Sequence, residues 1–382
     1  MRILQVGKYY HPAKGGIETH LRLLATGIAP HANVEVLVAG QPQASLETID
    51  GIRVERLSMP ASLLSAPICP GMIERLRKTK SDLVHVHLPN PWAAMAYLSS
   101  SCKQPLVVTY HSDIVRQSVT EPAFRPILLR FLQRASAIIC SSRALIDHSP
   151  ILRRFRDRCV VVPFGIADHA LDPPLPSEVQ AIRSRYHRPI ILAVGRLVYY
   201  KGFEYLIRAM AQIDASLILI GKGPLHESLN ALASSLGVSA KVTFLEHVED
   251  VHPYHHATDL FVLPSVARSE AFGIVQLEAM AAGKPVINTQ LESGVPFVSQ
   301  HGITGLTVPP ADENALAVAI NRLLDDSDLR LRYGTAAKLR VVQEFSASKM
   351  ISRTVKLYET IIEAPHMPIA ESFREHAFAA SN

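Results

Sequence analysis

The chain predicts an α/β architecture of two doubly wound domains, and three observations carry that expectation. Its 382 residues suffice for two full hydrophobic cores. Short unbroken apolar runs, the pattern of parallel strands buried on both faces, alternate with amphipathic stretches in two series, one opening at Ile3 and one at Pro189. Between the series lies 168–178, where Pro173, Pro174 and Pro176 follow Pro163 and make the best linker in the chain.

Composition narrows the classes. No apolar run reaches the ~18 residues that cross a bilayer, and Met1–Gly7 runs straight into a strand with no room for a signal peptide. Cys69, Cys102, Cys140 and Cys159 have neither metal nor redox spacing and read as reduced thiols of a cytosolic protein. The formal charge of +5 is uneven: residues 1–166 carry 20 Lys+Arg against 11 Asp+Glu, and the remainder 19 against 23. The basic half suits an anionic surface. Without a nucleic-acid motif, a membrane is the better expectation than nucleic acid.

In the first series, Ile3–Val6 reads as a strand, followed by a loop ending in Gly15-Gly16 and a helix over 17–28. Glycines at a helix start let backbone amides approach a phosphate, although the same pair also serves a plain turn. Strands follow at 34–38, 83–87 and 106–110. His111-Ser112-Asp113 stands where the last of them ends, the position at which open parallel sheets bind ligands, so His111 and to a lesser degree His87 are site candidates. Residues 124–137 read as a basic amphipathic helix with Arg125, Arg130 and Arg134 off the Leu128/Leu132/Ala135 face. With Arg153, Arg154, Arg156 and Arg158 it fits either an anionic lipid surface or a solvated face. Strands at 137–141 and 159–162 close the series.

In the second series, the strand at 190–195 is followed by Arg196 and Lys201, two cations placed for a diphosphate. A helix over 203–211, a strand at 217–220, Gly221-Lys222-Gly223-Pro224 and a helix over 225–236 come next. The strand at 242–245 precedes Glu246-His247-Val248. The strand Leu260–Leu263 then leads to Ser269-Glu270-Ala271-Phe272-Gly273-Ile274 and a helix carrying Glu278. The amides of Phe272, Gly273 and Ile274 form an anion site with a carboxylate on either side. That matches a nucleoside diphosphate sugar, or the two glutamates simply start a helix. A strand at 285–288, a turn and short strand over 302–308, and helices over 313–324, 329–345 and 348–363 complete the chain, with a loose tail from Pro365.

Taken together, these motifs resemble the retaining GT-B glycosyltransferases of family 4. The resemblance rests on Gly15-Gly16-Ile17-Glu18, His85-Val86-His87, His111-Ser112-Asp113, Pro163-Phe164-Gly165-Ile166, Gly195-Arg196-Leu197 with Lys201-Gly202, and Gly221-Lys222-Gly223-Pro224. Its most specific part is Ser269–Gly273 with Glu278, and His301–Leu306 with Asp312 complete it. It implies two Rossmann-like domains facing a central cleft: 1–166 plus the C-terminal helix of about 347–364 on the acceptor side, and 167–346 for the donor. It also implies roles. Arg196, Lys201, Gly15, Gly16, Gly273 and Ile274 would hold the donor diphosphate. Glu270, Ala271, Phe272 and Gly273 would hold the sugar, and Glu278, Gly221, His247 and Val248 the ribose and base. His111 and Glu270 would stand at the reacting centre.

The chain departs from the family at Glu246, where glycine is usual, and at Ser293-Gly294-Val295-Pro296-Phe297. The latter, with Tyr110–Gln117, resembles mannosyltransferases of surface polysaccharide assembly. The implied reaction is retaining transfer of a hexose, mannose from GDP-mannose first, to a lipid-linked or saccharide acceptor. It needs no cofactor beyond the nucleotide sugar and no metal, and it sits in the cytoplasm or at the inner face of the cytoplasmic membrane. The alternatives are a nucleotide-sugar epimerase on the same fold and a non-catalytic two-lobed sugar binder.

Overall fold

A computed structural model describes residues 1–13, 15–40, 44–63, 66–113 and 121–363, with backbone alone for 63, 66 and 121–123. The chain folds as two compact units, Met1–Gly165 with the segment from Ala347 on, and Ile166–Ser346. Lys14, the 114–117 part of the mannosyltransferase-like motif, and the tail expected from Pro365 lie outside the described residues.

Unit 1 is built on β1 (Arg2–Val6), β2 (Asn33–Ala39), β3 (Ser45–Ile49), β4 (Ile52–Leu57), β7 (Leu83–Leu88), β8 (Leu106–Tyr110), β9 (Ala135–Cys140) and β10 (Cys159–Val161). A separate hairpin pairs β5 (Ala61–Leu63) with β6 (Ala66–Ile68). The large sheet runs β10-β9-β8-β7-β1-β2-β4-β3, parallel throughout except for the β3–β4 pair. β7 and β8 are buried along their whole length, which is why their sequences are unbroken apolar runs apart from the histidines. The strand order reverses between β1 and β7, and the carboxyl ends there carry the loop to Gly15-Gly16, His87 and His111. The helix Ala347–Glu363 completes this unit by burying Met350, Val355, Leu357, Tyr358 and Ile361 in its core. Gly27 lies at that contact, where a Cβ would come within 2.0 Å of Ile351 Cδ1 and the isoleucine side chain would have to turn aside.

Unit 2 has one wholly parallel sheet, β13-β12-β11-β14-β15-β16. In chain order its strands are β11 (Ile190–Val194), β12 (Ser216–Ile220), β13 (Val242–Leu245), β14 (Leu260–Leu263), β15 (Val286–Thr289) and β16 (Gly305–Val308). Here the order reverses between β11 and β14, so Arg196 and Lys201 leave one side of the switch and the Glu270 loop leaves the other. Gly202 lets the two meet. Its φ is +64°, and a Cβ there would sit 2.1 Å from Pro264 O.

Three expectations change. The helix read over 124–137 is Glu121–Arg134, because Ala135 and Ala137 pair with Leu106 and Val107 and extend β9 backwards. The linker at 168–178 is a 3-10 turn, Asp168–Leu171, followed by a helix, Pro176–Arg183, with proline at its first position. The edge strands β3 and β4 were not expected at all. Asp50 and Gly51, with φ of 51° and 77°, form the left-handed two-residue turn between them, and the Asp-Gly pair was their sequence signal.

Candidate functional site

In unit 2, Lys201 and Glu270 form a buried ion pair, Nζ to Oε2 at 2.6 Å, with side chains 9% and 11% exposed. The sequence reading placed the lysine on a diphosphate and the glutamate on a sugar. The structure joins them directly, each compensating the other's charge in an interior where a lone charge is costly. Ser265 Oγ donates to the same carboxylate oxygen at 3.2 Å. Thr289 in turn holds Ser265 O, so the pair is anchored to β15. Tyr200 beside it has its hydroxyl pKa raised by burial and by the Glu270 charge. Arg196 is exposed and makes no ion pair among the described residues.

After Glu270 the chain enters the helix Ile274–Ala281 through Gly273, whose φ is +72°, and no side chain caps the first turn. Ala271 and Phe272 are buried; Ala271 O accepts from Gly294 N–H at 2.7 Å and Phe272 packs edge-on to Phe345. Gln276, fully buried, bonds Phe272 O and Asn288, which itself reaches Val295 O and Ser299 O. This satisfied polar network fixes the helix start rigidly. Glu278 is about one-third exposed and lies 3.3 Å from the buried His255 Nε2. Gly221, at the end of β12, donates to Leu245 O, while His247 is exposed and Val248 half-buried in the loop after β13. Glu246, the departure from the family pattern, is 3.6 Å from His226 Nδ1.

In unit 1, Gly15 caps the helix Gly16–Ile28 with extended backbone and no side-chain cap, and Gly16 is exposed. His111 is buried with His87, His85 and His20. His20 sits edge-on to His111 at 5.0 Å, and Phe164 covers both, at 4.4 and 5.0 Å. Burial pushes His20 and His85 down to about 3, and His87 and His111 well below the ordinary imidazole value. All four are therefore neutral. Nitrogens of His20, His87 and His111 lie within 4.8 Å of one another, near enough for a cation, but both His87 nitrogens are already engaged, by Gln5 and by His111.

Sequence reading missed His20, Gln5, Tyr358, Ser265 and His255. A signal existed for one: Gln5 is a polar residue inside an apolar strand. Tyr358 gave none, since it comes from a helix 353 positions away. Of the basic surface read in this unit, Arg156 pairs with Asp147 at 2.5 Å and Arg158 caps Gln133 O and Ala135 O. Arg130, Arg134, Arg153 and Arg154 are exposed. The four cysteines are free and buried. Among the described residues no helix is long and apolar enough to cross a membrane.

Residues 14–170 match the Glycosyltransferase Family 4 profile and 177–340 the Glycosyl transferases group 1 profile. The chain is 31% identical over 370 residues to the O-antigen chain mannosyltransferase C of Escherichia coli, covering 95% of this chain and 100% of that one. It is 31% identical over 354 residues to a D-rhamnosyltransferase of Pseudomonas aeruginosa, covering 91% and 93%. The structure of sucrose-phosphate synthase from Thermosynechococcus elongatus superposes with a TM-score of 0.81 at 25% identity, over 95% and 99% of the two chains.

Two outcomes follow from the geometry. Removing either partner of Lys201–Glu270 strands the other charge, so Glu270→Leu or Lys201→Met should each cost about 3–5 kcal/mol in urea unfolding. The double variant should recover most of that loss, and additive single losses would contradict the pairing. The histidines set an acid limit. Their folded pKa values lie below the unfolded value, so the unfolded chain takes protons first as pH falls through about 6.5. Stability is then full above that pH and drops by about 1.4 kcal/mol per histidine for each pH unit below it. A urea midpoint unchanged between pH 7 and pH 5 would refute this.

Proposed function

We infer the reaction from one premise: the chain belongs to the glycosyl transferases of group 1, with the GT-B fold of family 4, and it is a glycosyltransferase that uses a nucleotide-sugar donor. Transferase relatives matched along nearly the whole chain leave no ground for the epimerase or binding-protein alternatives. The finer reading is retaining transfer of mannose from GDP-mannose to a lipid-linked or saccharide acceptor in surface polysaccharide assembly. The names of the two relatives support the sugar, because D-rhamnose is mannose without its C6 hydroxyl and both share one configuration.

The observation that carries the site is the Lys201–Glu270 pair at the switch point of unit 2. A cation and a carboxylate held side by side suit the two ends of the bond that breaks. In this reading unit 2 takes the donor. Arg196, Lys201 and the uncapped first turn at Gly273 and Ile274 receive the diphosphate. Glu270, with Ala271 and Phe272 behind it, receives sugar hydroxyls, and Glu278 the ribose, with Gly221, His247 and Val248 toward the base. Unit 1 takes the acceptor, with Gly15, Gly16 and His111 serving the same reaction. The anomeric carbon–phosphate oxygen bond breaks as the bond to the acceptor oxygen forms. The acceptor proton passes to the departing phosphate, whose charge the cations stabilise without any metal in the step. No side chain is assigned as a nucleophile, so attack from the leaving-group face is the mechanism that gives retention.

Arg196 is the clean test because it is exposed and unpaired among the described residues. Arg196→Ala should leave the melting temperature unchanged and weaken donor binding by about 10- to 100-fold, the worth of a charge-assisted contact. Thermal shifts should be larger with GDP-mannose than with UDP-glucose or ADP-glucose. NMR of the product should show the donor's anomeric configuration kept; inversion, or a preference for another nucleotide, would overturn the corresponding part.

For the acceptor side we assign membrane contact to Arg130, Arg134, Arg153 and Arg154. Cosedimentation with vesicles containing anionic phospholipid should occur at low salt and fall when these four become glutamine. Equal pelleting of the quadruple variant would rule that face out.

A further inference from the structure

Unit 1 contains an unbroken chain of buried hydrogen bonds that ends on His111. Thr109 Oγ1 lies 2.7 Å from His85 Nε2, and His85 Nδ1 lies 2.5 Å from Tyr358 Oη. Gln5 Nε2 donates to Tyr358 Oη at 3.0 Å, and Gln5 Oε1 lies 2.8 Å from His87 Nε2. His87 Nδ1 lies 3.2 Å from His111 Nε2. Gln5, His85, Thr109 and Tyr358 are fully buried, and His87 is 1% exposed.

The direction of every proton follows from the orientation of the Gln5 amide, with its nitrogen on Tyr358 and its oxygen on His87. An amide nitrogen only donates and an amide oxygen only accepts. Tyr358 Oη accepts from Gln5, which leaves its own hydrogen for His85 Nδ1, the other group bonded to that oxygen. A neutral His85 then carries its proton on Nε2 and donates to Thr109. On the other side Gln5 Oε1 must receive the His87 Nε2 proton, which leaves His87 Nδ1 bare. The contact between His87 and His111 therefore needs the proton on His111 Nε2.

We propose that Gln5 and Tyr358 are positioning residues that hold His111 as its Nε2–H tautomer, so that it presents a bare Nδ1 and serves a substrate hydroxyl as hydrogen-bond acceptor. His111 is thus neither a proton donor at that nitrogen nor a general acid. The inference rests on the proposed role of His111 in transfer, but the tautomer itself does not. Turning the Gln5 amide over would satisfy the same groups with every proton reversed and would put one on His111 Nδ1. The orientation of the Gln5 amide therefore decides between the two arrangements, and the one proposed has its nitrogen on Tyr358.

Long-range proton–nitrogen NMR on the full chain with nitrogen-15 histidine, at pH 7.5, reads this directly, with His111 assigned from the His111→Asn spectrum. His85, His87 and His111 should all show a protonated Nε2 and a bare Nδ1. A proton on Nδ1 of His87 or His111 overturns the proposal, and the tautomers themselves are read on the unaltered chain. Tyr358→Phe should then give His111 as a mixture of both tautomers. It should slow transfer about 3- to 10-fold, the worth of one neutral hydrogen bond, with donor KM within about twofold. A loss in KM alone, or an unmixed His111, counts against the proposal. Expected tautomers in a protein that transfers no sugar would refute the functional reading and leave the chain of protons standing.

Discussion

Parallel strands that reverse their order leave a gap at one end of a sheet, and both units are organised by that constraint. In unit 2 the gap falls between β11 and β14, and it brings a lysine and a glutamate from loops about seventy residues apart in sequence into one ion pair. In unit 1 the reversal falls between β1 and β7, whose pairing sets Gln5 beside His85, with His87 two residues further along the same strand. The two places are occupied by opposite chemistry. One holds opposed full charges, the other neutral imidazoles joined by directional hydrogen bonds. A buried charge pair tolerates small shifts of either group, whereas the imidazole chain fixes individual protons.

The apolar strands were legible in the sequence because a strand buried on both faces must be apolar on both. Leu106–Tyr110 and Leu260–Leu263 fall where the residues place them. The β3–β4 hairpin escaped because β3 is exposed along nearly its whole length and has no periodic face to read. Its charged side chains, such as Arg53 facing Glu35 and Arg56 facing Glu47, look like loop composition until the pairing is known. The boundary at Ala135 was missed for a related reason. Alanine favours a helix locally, and only pairing with β8 draws it into the sheet.

The candidate site was legible as a set of positions but not as a set of partners. Spacing placed Lys201 and Glu270 at strand ends, and it had no means of showing that they neutralise each other. His111 stood out by position, yet its surroundings come from Gln5, His20, His87, Phe164 and Tyr358, spread from one end of the chain to the other. Contacts of that range leave no local pattern. The resemblance to a family supplied roles for the residues in the motifs and said nothing of the partners behind them.

The helix Ala347–Glu363 has a consequence for biosynthesis. A ribosome delivers Gln5 and His85 early, but the hydroxyl that joins them arrives with Tyr358, after the whole of unit 2 has been made. Until then the glutamine amide and the imidazole lack the hydroxyl that stands between them in the folded protein. The earliest part of the polypeptide to emerge is thus the last to reach its finished state, while the inserted unit can mature in the interval.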